Sequence, residues 1–303
     1  MSGFKTILLT AVFLLTGSIT LGNPENRHVA AGRVSIIFLP DIQYNDQYYD
    51  ADGLNLKMDQ LLNTVEEAAP LYVFFGNFAG NQVGKNPVKE SVIYQTDIYY
   101  PNWIKQVSKF DLTWYTLFND NNLGGDIWHD HKSVIFDVYQ DQYLKYFKMP
   151  RTGGENGTAG LQYWVTKEDV LLVVLNAYNR PVIKNDKIVP NLGDAQLTWL
   201  SNTLKYHQFY PHKIVVSSSA DLINNEKDLL PILNKFKVDC FVSFDDGDID
   251  VGDLNDGGNE TGAGGLKIIN LNTPDEFPGI LSYYLLSIDA NTDKFSFEKI
   301  YTK

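Results

Sequence analysis

Short runs of β-branched and aromatic residues alternate with stretches of helical periodicity along most of this chain, and that alternation restricts the fold more than any other feature. Val34-Ser35-Ile36-Ile37-Phe38-Leu39 is closed by Pro40, Leu71-Tyr72-Val73-Phe74-Phe75 ends at Gly76, and Trp114-Tyr115-Thr116-Leu117-Phe118 runs into the polar turn Asn119-Asp120-Asn121-Asn122. Between them, Leu54, Met58, Leu61, Leu62 and Val65 share one face of a helix predicted over 54–69, and a second helix is predicted over 98–107. Runs at 161–165 and 170–175 pattern as an antiparallel pair turning at Lys167-Glu168-Asp169. A helix then starts at Asp194, a good N-cap residue, with Leu197, Leu200 and Leu204 as its apolar stripe. Strands at 214–217 and 239–243 bracket a helix over 227–236, and further strands follow at 266–271, 283–288 and 295–301, the last alternating like an edge strand. Strands alternating with helices early and paired strands late predict an α/β protein with two stacked mixed β-sheets flanked by helices. Ligands in such folds sit at the carboxyl ends of strands, here 40–43, 76–80, 118–122, 217–221 and 243–247.

The chain has 303 residues, 44% hydrophobic and 20% charged, an ordinary globular composition. Its formal net charge of -12, with no basic cluster, repels phosphate backbones and argues against nucleic-acid binding. Lys5 precedes the apolar run Ile7 to Leu15, and Thr20 and Gly22 are placed for cleavage before Asn23. Residues 1–22 are therefore expected to be a secretory signal peptide, and residues 23–303 a single domain. The run is short for a membrane anchor, the other reading of this segment, and no later stretch is long and apolar enough to span a bilayer. The expected location is the secretory pathway: secreted, or in a vacuolar or endomembrane lumen. Asn156-Gly157-Thr158 and Asn259-Glu260-Thr261 are candidate glycosylation sequons at Asn156 and Asn259. Cys240 is the one cysteine, so no intrachain disulfide is possible, and its apolar strand predicts a buried, inert thiol.

The order of these signals resembles the metallophosphoesterases, and among them the tartrate-resistant type of purple acid phosphatase. The resemblance covers nearly all of residues 33–303. It is carried most specifically by Gln196-Leu197-Thr198-Trp199-Leu200 and by Leu229-Leu230-Pro231-Ile232-Leu233 followed by Lys237-Val238-Asp239. Trp114-Tyr115, Gly262-Ala263-Gly264-Gly265 and Gly279-Ile280-Leu281-Ser282-Tyr283-Tyr284 fit as well. The resemblance implies an α/β/β/α sandwich and phosphoric monoester hydrolysis at two bridged metal ions, held by Asp, Asp, Tyr, Asn and three His. Matched position by position, the first Asp is Asp41, the bridging Asp falls on Asn77, and the Tyr falls on Gly80. The family's Asn falls on Asn119, or on Asp120 if a gap is allowed, and the catalytic His of that turn is missing either way. The remaining histidines fall on Ser219, Asp245 and Gly247. An amide binds metal far more weakly than a carboxylate and carries no charge to offset two cations. The expectation is a pseudoenzyme that binds or scaffolds an unidentified protein or phosphorylated ligand, without a resident cofactor.

Other readings stay open. A rebuilt or mononuclear phosphohydrolase site using Fe, Zn or Mn would draw on Asp41, Asn119, Asp245 and the His129-Asp130-His131 pair, two histidines that would face one way on a strand. Those histidines also suit a solvated loop. The acidic run of residues 245–256 supplies carboxylates suited to weak Ca²⁺ binding, as a Ca²⁺-dependent adhesion or matrix protein would need. It departs from the EF-hand pattern, and a solvated acidic loop is the favoured reading. Ser217-Ser218-Ser219 lacks the Gly-x-Ser-x-Gly frame of a nucleophile elbow. Tyr44, Tyr48 and Tyr49 are candidates for the rim of a cleft beside Asp41.

Overall fold

The computed structural model describes residues 33–41, 53–77, 88–119, 135–153, 159–179, 182–184, 187–225, 227–244, 265–271, 282–289 and 294–301. The signal peptide 1–22, the tyrosines 44, 48 and 49, Gly80, Asp120, His129, His131, Asn156, Asn259 and the 245–256 run with Asp245 and Gly247 lie outside the described residues. The elements run β1 (Arg33–Asp41), α1 (Gly53–Glu67), β2 (Tyr72–Asn77), α2 (Lys89–Val107), β3 (Trp114–Thr116), α3 (Phe136–Tyr146), β4 (Tyr163–Lys167) and β5 (Val170–Val174). They continue with the hairpin β6 (Val182–Lys184) and β7 (Lys187–Val189), then α4 (Gly193–Tyr206), β8 (His212–Ser217), α5 (Leu222–Asn225), α6 (Leu229–Lys235), β9 (Cys240–Ser243), β10 (Lys267–Asn270), β11 (Ser282–Asp289) and β12 (Lys294–Tyr301).

Two five-stranded mixed sheets result, in the orders β12-β11-β1-β2-β3 and β10-β9-β8-β5-β4. β1, β2 and β3 are parallel, with β11 antiparallel to β1. In the second sheet β5, β8, β9 and β10 are parallel, and β4 is antiparallel to β5. Parallel neighbours need a crossover, which α1 and α2 supply in the first sheet and α4 and α6 in the second. Strands buried on both faces read as unbroken apolar runs rather than alternating ones. Every residue of β5, β8 and β9 is buried, which explains why these strands stood out in the sequence.

One face of the first sheet meets the helices. Trp103 of α2 stands edge-on to Phe75 (ring centroids 4.9 Å) and to Trp114 (5.3 Å), and Phe147, just past α3, packs edge-on against Tyr100 at 4.9 Å. The opposite face meets the second sheet. Tyr115 lies 6.0 Å from Tyr163 of β4, whose hydroxyl donates to the Thr116 carbonyl at 2.6 Å. That bond satisfies a buried phenol, and burial holds the Tyr163 hydroxyl well above its ordinary pKa. Leu197, Leu200 and Leu204 of α4 are buried, as the apolar stripe predicts.

Several boundaries differ from the expectation. α2 begins at Lys89, not near 98, because Ser91 closes its first turn: its hydroxyl accepts the Val88 N–H at 3.1 Å and donates to the Val88 carbonyl at 2.7 Å. Exposed Tyr94 and Ile98 interrupt the apolar stripe that would have marked the earlier start. α3 was not foreseen, although Phe136, Tyr139 and Tyr143 recur at helical spacing and are all buried. Asp194 lies in the first turn of α4 rather than at its cap, which is Leu192. The helix expected over 227–236 is α6 alone, preceded by the separate short α5. Cys240 is buried, and burial pushes its thiol up to about 12, so it is inert as expected.

His207 closes α4 with its ring 4.2 Å from that of Trp164, and its Nδ1 has no hydrogen-bond partner among the described residues. Burial lowers its pKa. The unfolded imidazole takes up a proton near pH 6.5 and the folded one only at lower pH, so acidification through that window favours the unfolded chain. The urea midpoint is expected to fall between about pH 7.5 and about pH 5.5, and His207→Phe to shrink that fall. An equal fall in the variant would contradict this assignment.

Candidate functional site

The carboxyl ends of the parallel strands in both sheets converge on one edge. Phe244, the first residue past β9, brings them together. Its ring stacks on Phe74 of β2 (6.1 Å, interplanar 23°) and lies 6.0 Å from Phe38 of β1. Phe38 and Phe74 are register partners, and Gly76, two residues beyond Phe74, presents the same face. A Cβ built on Gly76 would meet the Phe244 ring, 2.6 Å from Cγ, far inside van der Waals contact. Glycine is therefore required here by the ring's close approach.

The candidate positions of the first sheet gather around this contact. Asp41 and Asn77 are paired in register at the ends of β1 and β2. Asn119, beyond β3 and 3% exposed, donates from Nδ2 to the Gly76 carbonyl at 3.0 Å. Its amide thereby ties the end of β3 to the residue before Asn77.

The second sheet contributes neutral hydroxyls and amides that mostly bond within their own loops. The Ser219 N–H donates to Ser217 Oγ at 3.3 Å, and Ser219 Oγ accepts the Asp221 N–H at 3.3 Å. Ser219 is fully buried. Ser243 Oγ donates to Asn270 Oδ1 at 3.1 Å, joining β9 to β10. His212 opens β8 and Ser217 ends it, a separation of roughly 17 Å along an extended strand, so His212 lies at the far end of the strand from Ser219.

Fe, Zn or Mn, which the resemblance implies, would need carboxylates and imidazoles converging here. The described side chains do not supply them. Asn119 and Ser219 are neutral, Ser219 accepts a backbone N–H, and an aromatic ring covers Gly76. Among the described residues, no group of three or more His, Cys, Asp or Glu lies close enough together to hold a metal ion. Also among them, no helix is long and apolar enough to cross a membrane.

The residues that carry the resemblance have structural work instead. Gln196 of α4 accepts the Asn176 N–H at 2.8 Å and donates to the Asn176 carbonyl at 2.9 Å. The register of β4 with β5 ends at Tyr163 and Val174, so the Gln196 amide acts as the ladder partner that Asn176 would otherwise lack. Trp199 packs over the Gly153 backbone, where an added Cβ would sit 2.6 Å from its Cζ2. Asp239 Oδ2 accepts the Lys213 N–H at 2.7 Å, while the Asp239 backbone bonds both Lys213 and Lys267. The Gly76–Phe244 fit left no trace in local periodicity, because its partners are 168 residues apart (244 − 76) and in different sheets.

Scans against protein-family models and against curated proteins return no match to this chain.

Gly76→Ala is expected to destabilise the chain by about 1–3 kcal/mol, the usual range for overpacking, measured by urea unfolding. Phe244→Ala removes the clashing ring, so the double variant should lose clearly less than the sum of the two single losses. Strictly additive losses would mean that the contact does not hold the two sheets as described.

Proposed function

We propose that this chain is a pseudoenzyme of the secretory pathway with a purple-acid-phosphatase-like scaffold, in which the strand-end edge serves binding or scaffolding rather than binuclear phosphoester hydrolysis. The supporting observation is the Gly76–Phe244–Asn119 arrangement. At the edge where the resemblance calls for a bridging carboxylate and imidazoles, an aromatic ring covers Gly76 and the nearest amide bonds the backbone. Hydrolysis at a two-metal centre needs a pair of cations to generate hydroxide and hold the phosphate oxygens. Neutral amides and hydroxyls do not offset that charge. The partner on this reading is a protein or a phosphorylated ligand recognised by the edge or by an outer face.

The test is metal analysis and turnover on the secreted protein. Purified from a secretory host and dialysed against Fe, Zn or Mn, it is expected to retain no stoichiometric metal and to show no hydrolysis of p-nitrophenyl phosphate. Robust hydrolysis abolished by a chelator would refute the proposal.

A further inference from the structure

β12 ends the first sheet. Its register with β11 runs unbroken from Lys294, opposite Asp289, to Tyr301, opposite Ser282, and among the described strands none pairs with its other side. A strand in that position presents a row of backbone N–H and C=O groups on which a further strand can form. Proteins usually guard such an edge with a very short strand, a bulge, a proline or charged side chains. β12 has eight residues, a continuous register and no proline, which leaves Lys294, Glu298 and Lys299 as its guard. The Phe295 carbonyl accepts Lys267 Nζ at 3.5 Å, the long limit of a hydrogen bond, so an incoming backbone N–H would displace it readily.

The two faces of β12 differ. The Phe295 ring lies 5.5 Å from that of His212 in β8, Phe297 stacks on Tyr284 at 5.4 Å, and Lys299 Nζ lies 5.5 Å from the Tyr284 ring. These residues therefore turn toward the second sheet. Lys294, Ser296 and Glu298 alternate with them on the other face and are exposed.

We propose that β12 pairs antiparallel with β12 of a second copy of this chain, about a twofold axis at Ser296, and joins the two first sheets into one. A twofold axis perpendicular to the sheet keeps like faces together, so only residues of the same face stand opposite each other. One register of that kind sets unlike charges opposite. With Ser296 facing Ser296, each Lys294 faces Glu298 of the other copy, and each Phe295 faces Phe297. Moving the axis to Phe295 or Phe297 sets Lys294 against Ser296 or Ile300, with no charge pair. An axis at Lys294, Glu298 or Lys299 sets like charges against each other. The charges that guard the edge against other strands are thus complementary to themselves. Exposed side chains exchange one surface partner for another at little cost. The net charge of -12 repels a second copy at long range, and physiological salt screens that repulsion beyond roughly 8 Å. The contact is short, so the dimer is in exchange with the monomer.

Sedimentation equilibrium of the full secreted chain at physiological salt tests this, and the expected result is a monomer–dimer equilibrium. Glu298→Lys turns both charge pairs into repulsions and is expected to weaken the dimer about tenfold or more, as is Lys294→Glu. The double variant K294E/E298K restores both pairs and is expected to regain the affinity. Ser296→Cys gives a second measurement. Directly opposite strand residues have Cα atoms about 4.5–5.5 Å apart, within disulfide range, so mild oxidation is expected to link the copies. Cys240 is buried and does not compete. Lys294→Cys, which faces Glu298 rather than itself, is expected to link far more slowly. Four outcomes would overturn the proposal: an unsubstituted chain that stays monomeric at every concentration reached, single charge variants that dimerise as well as it does, a double variant as weak as the singles, or Ser296→Cys linking no faster than Lys294→Cys.

Discussion

The seam between the two sheets at their carboxyl edge depends on the fit of the Phe244 ring against Gly76. Phe244 leaves the second sheet at the end of β9 and lands on Phe38 and Phe74 of the first. That landing needs a backbone without a side chain at position 76, because a Cβ there would occupy the ring's volume. Phe244 is partly buried and packs against the core, so it gains only part of the roughly 1.5–3 kcal/mol that full burial of a Phe would give.

Other groups near the seam follow the same logic. Asn119 bonds the Gly76 carbonyl, Ser219 takes the Asp221 N–H, and Ser243 bonds Asn270. Each polar side chain finishes a strand end that the ladder leaves open, which is the usual fate of buried polar groups. These bonds tie the described strand ends to their neighbours. Gln196 and Asp239 extend this pattern from the helix side and from the strand entry, fixing α4 to β5 and β8 to its neighbours.

Much of the architecture was legible in the sequence because the central strands are buried on both faces and read as continuous apolar runs, as 170–175 and 214–217 do. The edge strand β12 was legible through its alternation. α3 was missed although Phe136, Tyr139 and Tyr143 carry the helical period, because its polar neighbours and aromatic content hid it among loop-like residues. The start of α2 was missed because Tyr94 and Ile98 lie on its exposed face. The candidate site was legible only as residue types at strand ends. Its physical content comes from contacts across the chain, such as Phe244 with Gly76 and Asn119 with Gly76, and no local pattern encodes which strand end faces which. The role of Gln196 as a substitute ladder partner needed the end of β4 to be placed.

The central proposal is that this edge, with Phe244 packed on Gly76, holds no two-cation site. Crystals of the secreted chain grown with excess Zn²⁺, with anomalous data collected across the zinc edge, test it most directly. The account predicts the Phe244 ring seated on Gly76 and no anomalous peak among the ends of β1, β2, β3, β8 and β9. A strong peak within bonding distance of Asp41 and Asn119, with the Phe244 ring turned away, would contradict it.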